Sequence, residues 1–188
     1  MIYPYACVDN FFINPDSVVE YSKKLKYINS DGRWPGKRSE KLHLVDKDFF
    51  NYVCQKMLAV LYPSNYQNIQ YSCTLSFQKI SPKDKGQGLI HTDLPVALTG
   101  ICYLSKNENC GTSIYDYTSH YPNMSREQNN KNWKETIKFN SKYNRLILFD
   151  GHAYHGAQEL VDEERLTLIA FFNDIINVEG GAAQAARF

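Results

Sequence analysis

No stretch of the 188-residue sequence approaches the ~20 consecutive apolar residues of a membrane-spanning helix, so none is expected. An excess of one charge is lacking as well. Lys and Arg number 21 against 20 Asp and Glu, and the net charge of +1 gives no global attraction for nucleic acid or an anionic membrane. Short basic clusters (Lys23, Lys24 and Lys26; Lys37 and Arg38; Lys83 and Lys85) form no aromatic-interleaved stripe and read as solvated surface. The five cysteines, Cys7, Cys54, Cys73, Cys102 and Cys110, contain no C-x-x-C, which argues against a zinc knuckle or a thioredoxin-type site. Odd in number and scattered, with Cys54, Cys73 and Cys102 among apolar neighbours, they read as thiols of a reducing, cytoplasmic setting. The opening residues MIYPYACVDNFF lack a basic segment followed by a long apolar one, so no secretory leader is expected.

What is present suits one domain with a substantial core: 43% hydrophobic and 22% charged residues, with no internal repeat. The reading is a single domain over 1–179, with a helical N-terminal part over 1–65, a β core over 66–176 and a flexible tail over 180–188. Asn14-Pro15-Asp16 supplies an N-cap, a first-position proline and an acid in the first turn; Val18, Tyr21 and Leu25 follow at helical spacing. A second helix is expected over Lys47 to Leu61, with Phe50, Val53, Cys54, Met57, Leu58 and Leu61 on its apolar face and Pro63 ending it.

From Tyr66 the hydrophobic period changes from helical to two. Ile69, Tyr71, Cys73, Leu75 and Phe77 alternate with Gln70, Ser72, Thr74, Ser76 and Gln78, the pattern of a half-buried strand. Further strands are expected at Leu89–Asp93, Leu98–Leu104, Thr112–Tyr117, Arg145–Phe149 and Leu166–Phe172. The polar stretch His120 to Glu135 reads as a long surface insertion, of the kind that forms lids or binding loops. Several short strands after two helices give a mainly β fold, an antiparallel barrel or double-sheet jelly roll buttressed by helices.

Within GLIHTDLPVA, His91 and Asp93 are two apart, so in an extended segment they share a face. A carboxylate in apolar surroundings is costly unless a cation, a metal or several donors meet it. A second histidine-bearing stretch, RLILFDGHAYHGAQEL, offers His152 and His155; His155 is preferred because Gly156 leaves room for approach to a metal. Two histidines and one carboxylate leave the opposite coordination positions open, which suits non-haem Fe(II) oxygen chemistry. Beyond them, Arg165 opens an apolar strand and shares a face with Thr167, and a buried guanidinium needs an anion.

In order along the chain, His91-Thr-Asp93, Tyr103-Leu, Gly111-Thr112, His155-Gly156 and Arg165-Leu-Thr167 resemble the 2-oxoglutarate- and Fe(II)-dependent oxygenases, nearest to their prolyl-hydroxylase-like branch. VDNFFINPDSV and RWPGKRSEKL are similar to a microbial and viral subgroup of mostly unassigned substrate. The resemblance implies a double-stranded β-helix with Fe(II) held by His91, Asp93 and His155. It further implies that 2-oxoglutarate is gripped by Arg165 with Thr167 and Tyr103, and that O₂ is the other co-substrate. The implied reaction is hydroxylation of a small-molecule or peptide substrate, peptidyl or amino-acid, with release of succinate and CO₂. The alternatives are a non-catalytic jelly-roll binding module and a cupin-like enzyme using another metal such as Mn or Zn. His43 and His120 fit no pattern; Asp116 could line the pocket but reads better as a solvated strand residue, and Arg38 could reach substrate but reads better as a surface cation.

Overall fold

Ile69–Ile80 and Arg165–Asn177 are the two longest strands of the computed structural model, and they pair antiparallel along their lengths. The structure describes residues 3–30, 34–84, 90–106, 108, 110–117, 132–158, 163–178 and 181–182. In chain order the elements are β1 (Ala6–Val8), α1 (Pro15–Lys23), β2 (Tyr27–Asn29), β3 (Lys37–Ser39), α2 (Leu42–Val45), α3 (Lys47–Leu61) and β4 (Ile69–Ile80). They continue with β5 (Leu98–Tyr103), β6 (Thr112–Tyr117), β7 (Trp133–Phe139), β8 (Arg145–Asp150), β9 (Tyr154–Ala157), β10 (Arg165–Asn177) and β11 (Gly181–Ala182). An eight-stranded sheet runs β1-β8-β5-β10-β4-β3-β2, with β11 added to β10, and a three-stranded sheet runs β7-β6-β9. This is a mainly β jelly roll with helices packed on one side.

The helices begin where their caps place them. The Asn14 side chain accepts from the Ser17 amide before Pro15 opens α1, and the Asp46 side chain accepts from the Phe49 amide at the start of α3. α3 buries Val53, Cys54, Met57, Leu58 and Leu61. They join Leu75 and Phe77 of β4, Leu98 and Cys102 of β5, Leu146 and Leu148 of β8 and Leu168, Ala170 and Phe172 of β10 in the main core. α3 lies so close that a Cβ on Gly100 would stand 3.1 Å from Met57 Sδ. Leu168 is fully buried there, and truncation to alanine would cost ~2–5 kcal/mol through lost transfer energy and the cavity left behind.

The other face of the large sheet looks toward the small one. Ile101, Tyr103, Ile147 and Phe149 pack with Ile114 of β6 in a second cluster that joins the sheets. On this face the register sets Arg38, Gln78, Thr167 and Tyr103 in one row across β3, β4, β10 and β5. Cross-strand partners project to the same side, so the row is continuous.

Several expectations need correction. The segment expected to be a strand over Leu89–Asp93 forms only an isolated bridge at His91, with residue 89 outside the described set. Trp133 to Glu135, expected in a surface insertion, begin β7; residues 118–131 lie outside the described residues, His120 among them. Gly181–Ala182 of the expected flexible tail pair with β10. The N-terminal part holds three short strands besides its helices. Ser76 and Gln78, on the face of β4 that alternation left polar, are buried at 4% exposure each. That end of β4 lies against the chain from Pro35 to Ser39, where Gln78 Nε2 donates to the Pro35 carbonyl at 2.8 Å. Polar residues alternating along a strand can line an internal site as well as meet water.

Candidate metal and ketoacid site

His91 and His155, 64 positions apart, are tied by a two-way backbone bridge. The His91 amide donates to the His155 carbonyl and the His155 amide to the His91 carbonyl, each at 2.9 Å. Asp93 is fixed by its amide to the Gly151 carbonyl at 2.9 Å. Gly151 is required there, since a Cβ would fall 2.1 Å from the Val96 carbonyl oxygen. These contacts bring one ligand-capable atom from each of His91, Asp93 and His155 within 4.8 Å of one another. His155 Nε2 lies 3.3 Å from Asp93 Oδ2 and His91 Nε2 lies 3.5 Å from Asp93 Oδ1.

Their surroundings suit a divalent cation. His155 Nδ1 sits 3.0 Å from the Ala153 carbonyl, which fixes the tautomer with its proton on Nδ1 and the lone pair on Nε2. Burial pushes the His155 pKa below its ordinary value, although the Asp93 carboxylate pulls the other way; the ring is kept neutral. For Asp93 burial acts to raise the pKa, but the His91 contact, His155 and the Thr99 hydroxyl outweigh it, and the carboxyl stays below its usual range. A neutral imidazole and an ionised carboxylate are the protonation states that ligation requires. His152 takes another place: its ring Nδ1 and its amide meet Asp150 Oδ1 at 2.9 and 2.8 Å, and its side chain is 60% exposed.

On the same sheet face, Arg165 is 5% exposed, with its guanidinium carbon 5.4 Å from the Tyr103 ring centre. Its Nη2 meets Thr112 Oγ1 at 3.4 Å, and the Tyr103 hydroxyl donates to the same oxygen at 2.8 Å. Arg165 Nε and Thr167 Oγ1 are buried and have no hydrogen-bond partner, and no described carboxylate forms an ion pair with Arg165. A buried cation left unpaired costs several kcal/mol, so this corner suits an anion. The donor set and these orphaned polar atoms fit an iron–ketoacid pair. The glycine turn before Thr112 is also set by close approach: a Cβ on Gly111 would stand 1.9 Å from the Phe139 carbonyl oxygen.

Two neighbours escaped the sequence reading, and a third was read as surface. Thr99 Oγ1 donates to Asp93 Oδ2 at 2.7 Å, and the Phe149 ring centre lies 4.7 Å from that of His155. Thr99 could have been found, because it shares its strand face with Tyr103. Arg38 is the third: it is half-buried beside Trp34 and Phe171, within electrostatic reach of Asp93.

A family model described as "Family of unknown function (DUF6445)" matches residues 3–139. The chain belongs to the DUF6445 family. In this DUF6445 chain the matched segment contains Arg38, His91, Asp93 and Tyr103, while His155, Arg165 and Thr167 follow it. No curated protein matches the DUF6445 chain. Solved structures match its fold. HygX from Streptomyces hygroscopicus, with nickel, 2-oxoglutarate and hygromycin B bound, is 13% identical with a TM-score of 0.62, covering 89% of this chain and 81% of that one. A Pseudomonas putida prolyl-4-hydroxylase is 11% identical with a TM-score of 0.60, covering 89% and 91%. The α-ketoglutarate-dependent epimerase SnoN from nogalamycin biosynthesis is 12% identical with a TM-score of 0.59, covering 97% and 88%. The DUF6445 chain therefore has the jelly-roll fold found in 2-oxoglutarate–Fe(II) oxygenases. Among the described residues no helix is long and apolar enough to cross a membrane.

Proposed function

We propose that the chain is an Fe(II)- and 2-oxoglutarate-dependent dioxygenase that hydroxylates a small-molecule or peptide substrate. One observation carries the reading: three ligand-capable atoms converge against Thr99 of β5, on the sheet face that also carries a buried guanidinium with no carboxylate partner among the described residues. His91, Asp93 and His155 hold the iron, and Arg165 with Thr167 holds the far carboxylate of the ketoacid. Bound together, the metal and 2-oxoglutarate supply O₂ activation coupled to decarboxylation, giving succinate, CO₂ and oxidation of a substrate C–H bond.

The protein's own part is positioning. The Ala153 carbonyl orients the His155 ring, and the Thr99 hydroxyl orients the Asp93 carboxylate. Tyr103 is 1% exposed and turns its hydroxyl to Thr112, so it walls the carboxylate end and fixes the threonine that Arg165 also meets. Ile101, Ile114, Ile147 and Phe149 exclude water beneath the site. A non-catalytic module, or a cupin-like enzyme using Mn or Zn, leaves the buried Arg165 and Thr167 without a task.

Anaerobic titration of purified protein with Fe(II) and 2-oxoglutarate tests the reading. A visible charge-transfer absorption and, on admitting air, stoichiometric succinate are expected. Tight Zn or Mn binding with no response to 2-oxoglutarate would replace it with the cupin-like alternative, and no metal binding would leave the binding module.

A further inference from the structure

In the sequence Arg38 lies within the cluster PGKRS and reads as a surface cation; in the structure it is turned inward. β3 pairs Arg38 with Gln78, in the same row as Thr167 and Tyr103. From there the guanidinium lies 4.7 Å from the Trp34 ring centre and 5.2 Å from that of Phe171. Phe171 pairs with Thr99, the residue bonded to Asp93, so the guanidinium is turned to the metal end of the face and away from Arg165. Its Nε is buried with no hydrogen-bond partner, and no described carboxylate forms an ion pair with it. Burial lowers its pKa to about 10, against the pull of Asp93, so it is charged at neutral pH. The chain around it is anchored. Gly36 takes a φ of +73° and lies where a Cβ would meet the Lys79 carbonyl oxygen at 2.1 Å, and Gln78 holds the Pro35 carbonyl.

Charge counting shows what Arg38 is for. With Fe(II), one aspartate, dianionic 2-oxoglutarate and Arg165, the occupied centre is neutral, and Arg38, half-buried with its Nε fully buried, is left without a counter-ion among the described residues. A guanidinium taken up by aromatic rings keeps its in-plane N–H edge for hydrogen bonding, a geometry that matches two carboxylate oxygens. We infer that Arg38, held by Trp34 and Phe171, binds a carboxylate of the primary substrate, so that the compound oxidised is a free amino acid or similar small acid. This rests on the iron and 2-oxoglutarate reading of the adjoining site.

The test is isothermal titration of the Ni(II)- and 2-oxoglutarate-loaded protein with the L-amino acids and small hydroxy and dicarboxylic acids, each hit paired with its carboxamide. At least one acid is expected to bind, with its amide tenfold or more weaker. Arg38→Met should abolish that preference for acid over amide, Arg38→Lys should keep part of it, and 2-oxoglutarate affinity should change less than threefold in both. The inference is overturned if no acid in the panel binds, if amide and acid bind alike, or if Arg38→Met keeps the preference. It also falls if inorganic phosphate displaces the hit better than acetate does, or if 2-oxoglutarate affinity is lost, which would give Arg38 to the co-substrate. Should the Met variant fail to fold, the Lys variant and the amide comparison in wild-type protein decide. Loading with Ni(II) and 2-oxoglutarate is measured first, without any acid. Failure at that step sinks the dioxygenase reading, and the acid–amide comparison on metal-free protein still judges Arg38.

Discussion

Thr99 Oγ1 donates a 2.7 Å hydrogen bond to Asp93 Oδ2, the carboxylate oxygen that also faces His155 Nε2 at 3.3 Å. The bond links the sheet to a ligand carried by irregular chain: β5 supplies Thr99, while Asp93 follows the His91–His155 bridge and is itself held by its amide on the Gly151 carbonyl. Removing such an outer partner typically costs 10–100-fold in metal affinity. Thr99→Val keeps the shape and deletes the donor. It is expected to weaken Fe(II) binding at least tenfold with little change in melting temperature, measured by competition against a metal indicator.

The two late histidines make opposite predictions. His155→Ala removes a buried ligand and should abolish specific Fe(II) binding. His152→Ala should leave metal affinity within threefold, because its ring engages Asp150, which also accepts from the Tyr3 amide at 2.7 Å. Metal content of the two purified variants, counted per chain, separates them. Retained iron in the first and lost iron in the second would exchange their roles.

Arg165 and Thr167 should govern the ketoacid and not the metal. Arg165→Ala is expected to raise the 2-oxoglutarate KM by 100-fold or more, since a charge-assisted pair in a buried corner is lost. Thr167→Val should raise it by about tenfold, in line with one hydrogen bond to a charged group of ~1.5 kcal/mol. Iron binding without 2-oxoglutarate should be unchanged in both. An unaltered KM in Arg165→Ala would remove the carboxylate clamp from the mechanism.

How far the sequence showed this site depends on which signals are local. Period-two alternation placed β4, the Asn14 cap placed α1 and helical spacing placed α3, because each follows from local chemistry; β5, β6, β8 and β10 also lie where strands were expected. The pairing of His91 and Asp93 across one residue was legible for the same reason. Arg38 was not. Its burial depends on Trp34, Gly36 and β4, and the last of these is 40 positions away by register, so a basic run looked like surface. β7 was hidden because its residues are largely exposed and its apolar side, Trp133, Ile137 and Phe139, is interrupted by Glu135. β1, three residues long, owes its place to its pairing with β8 at the far end of the chain.

That last pairing is reinforced by charge, and its pH dependence can be signed. Asp9, just after β1, accepts from Arg145 Nε at 2.6 Å, from Arg145 Nη2 at 3.1 Å and from Lys142 Nζ at 2.7 Å. The Arg145 and Lys142 hydrogen bonds hold its carboxyl well below the usual carboxylate range. A carboxyl depressed in the folded state contributes stability above its unfolded pKa of ~3.9 and loses it as pH falls further. The Asp9 side chain is 35% exposed, so solvent screening limits the contribution to about 1 kcal/mol. Asp9→Asn should therefore lower the melting temperature at pH 7 by ~2–4 °C. The gap should hold down to about pH 4, then close as the wild-type carboxyl itself takes up a proton, and it should shrink in high salt at pH 7. Melting curves of the two proteins from pH 7 downward measure it, and a gap that persisted unchanged at the acid end would assign the effect of the substitution to packing, not to charge.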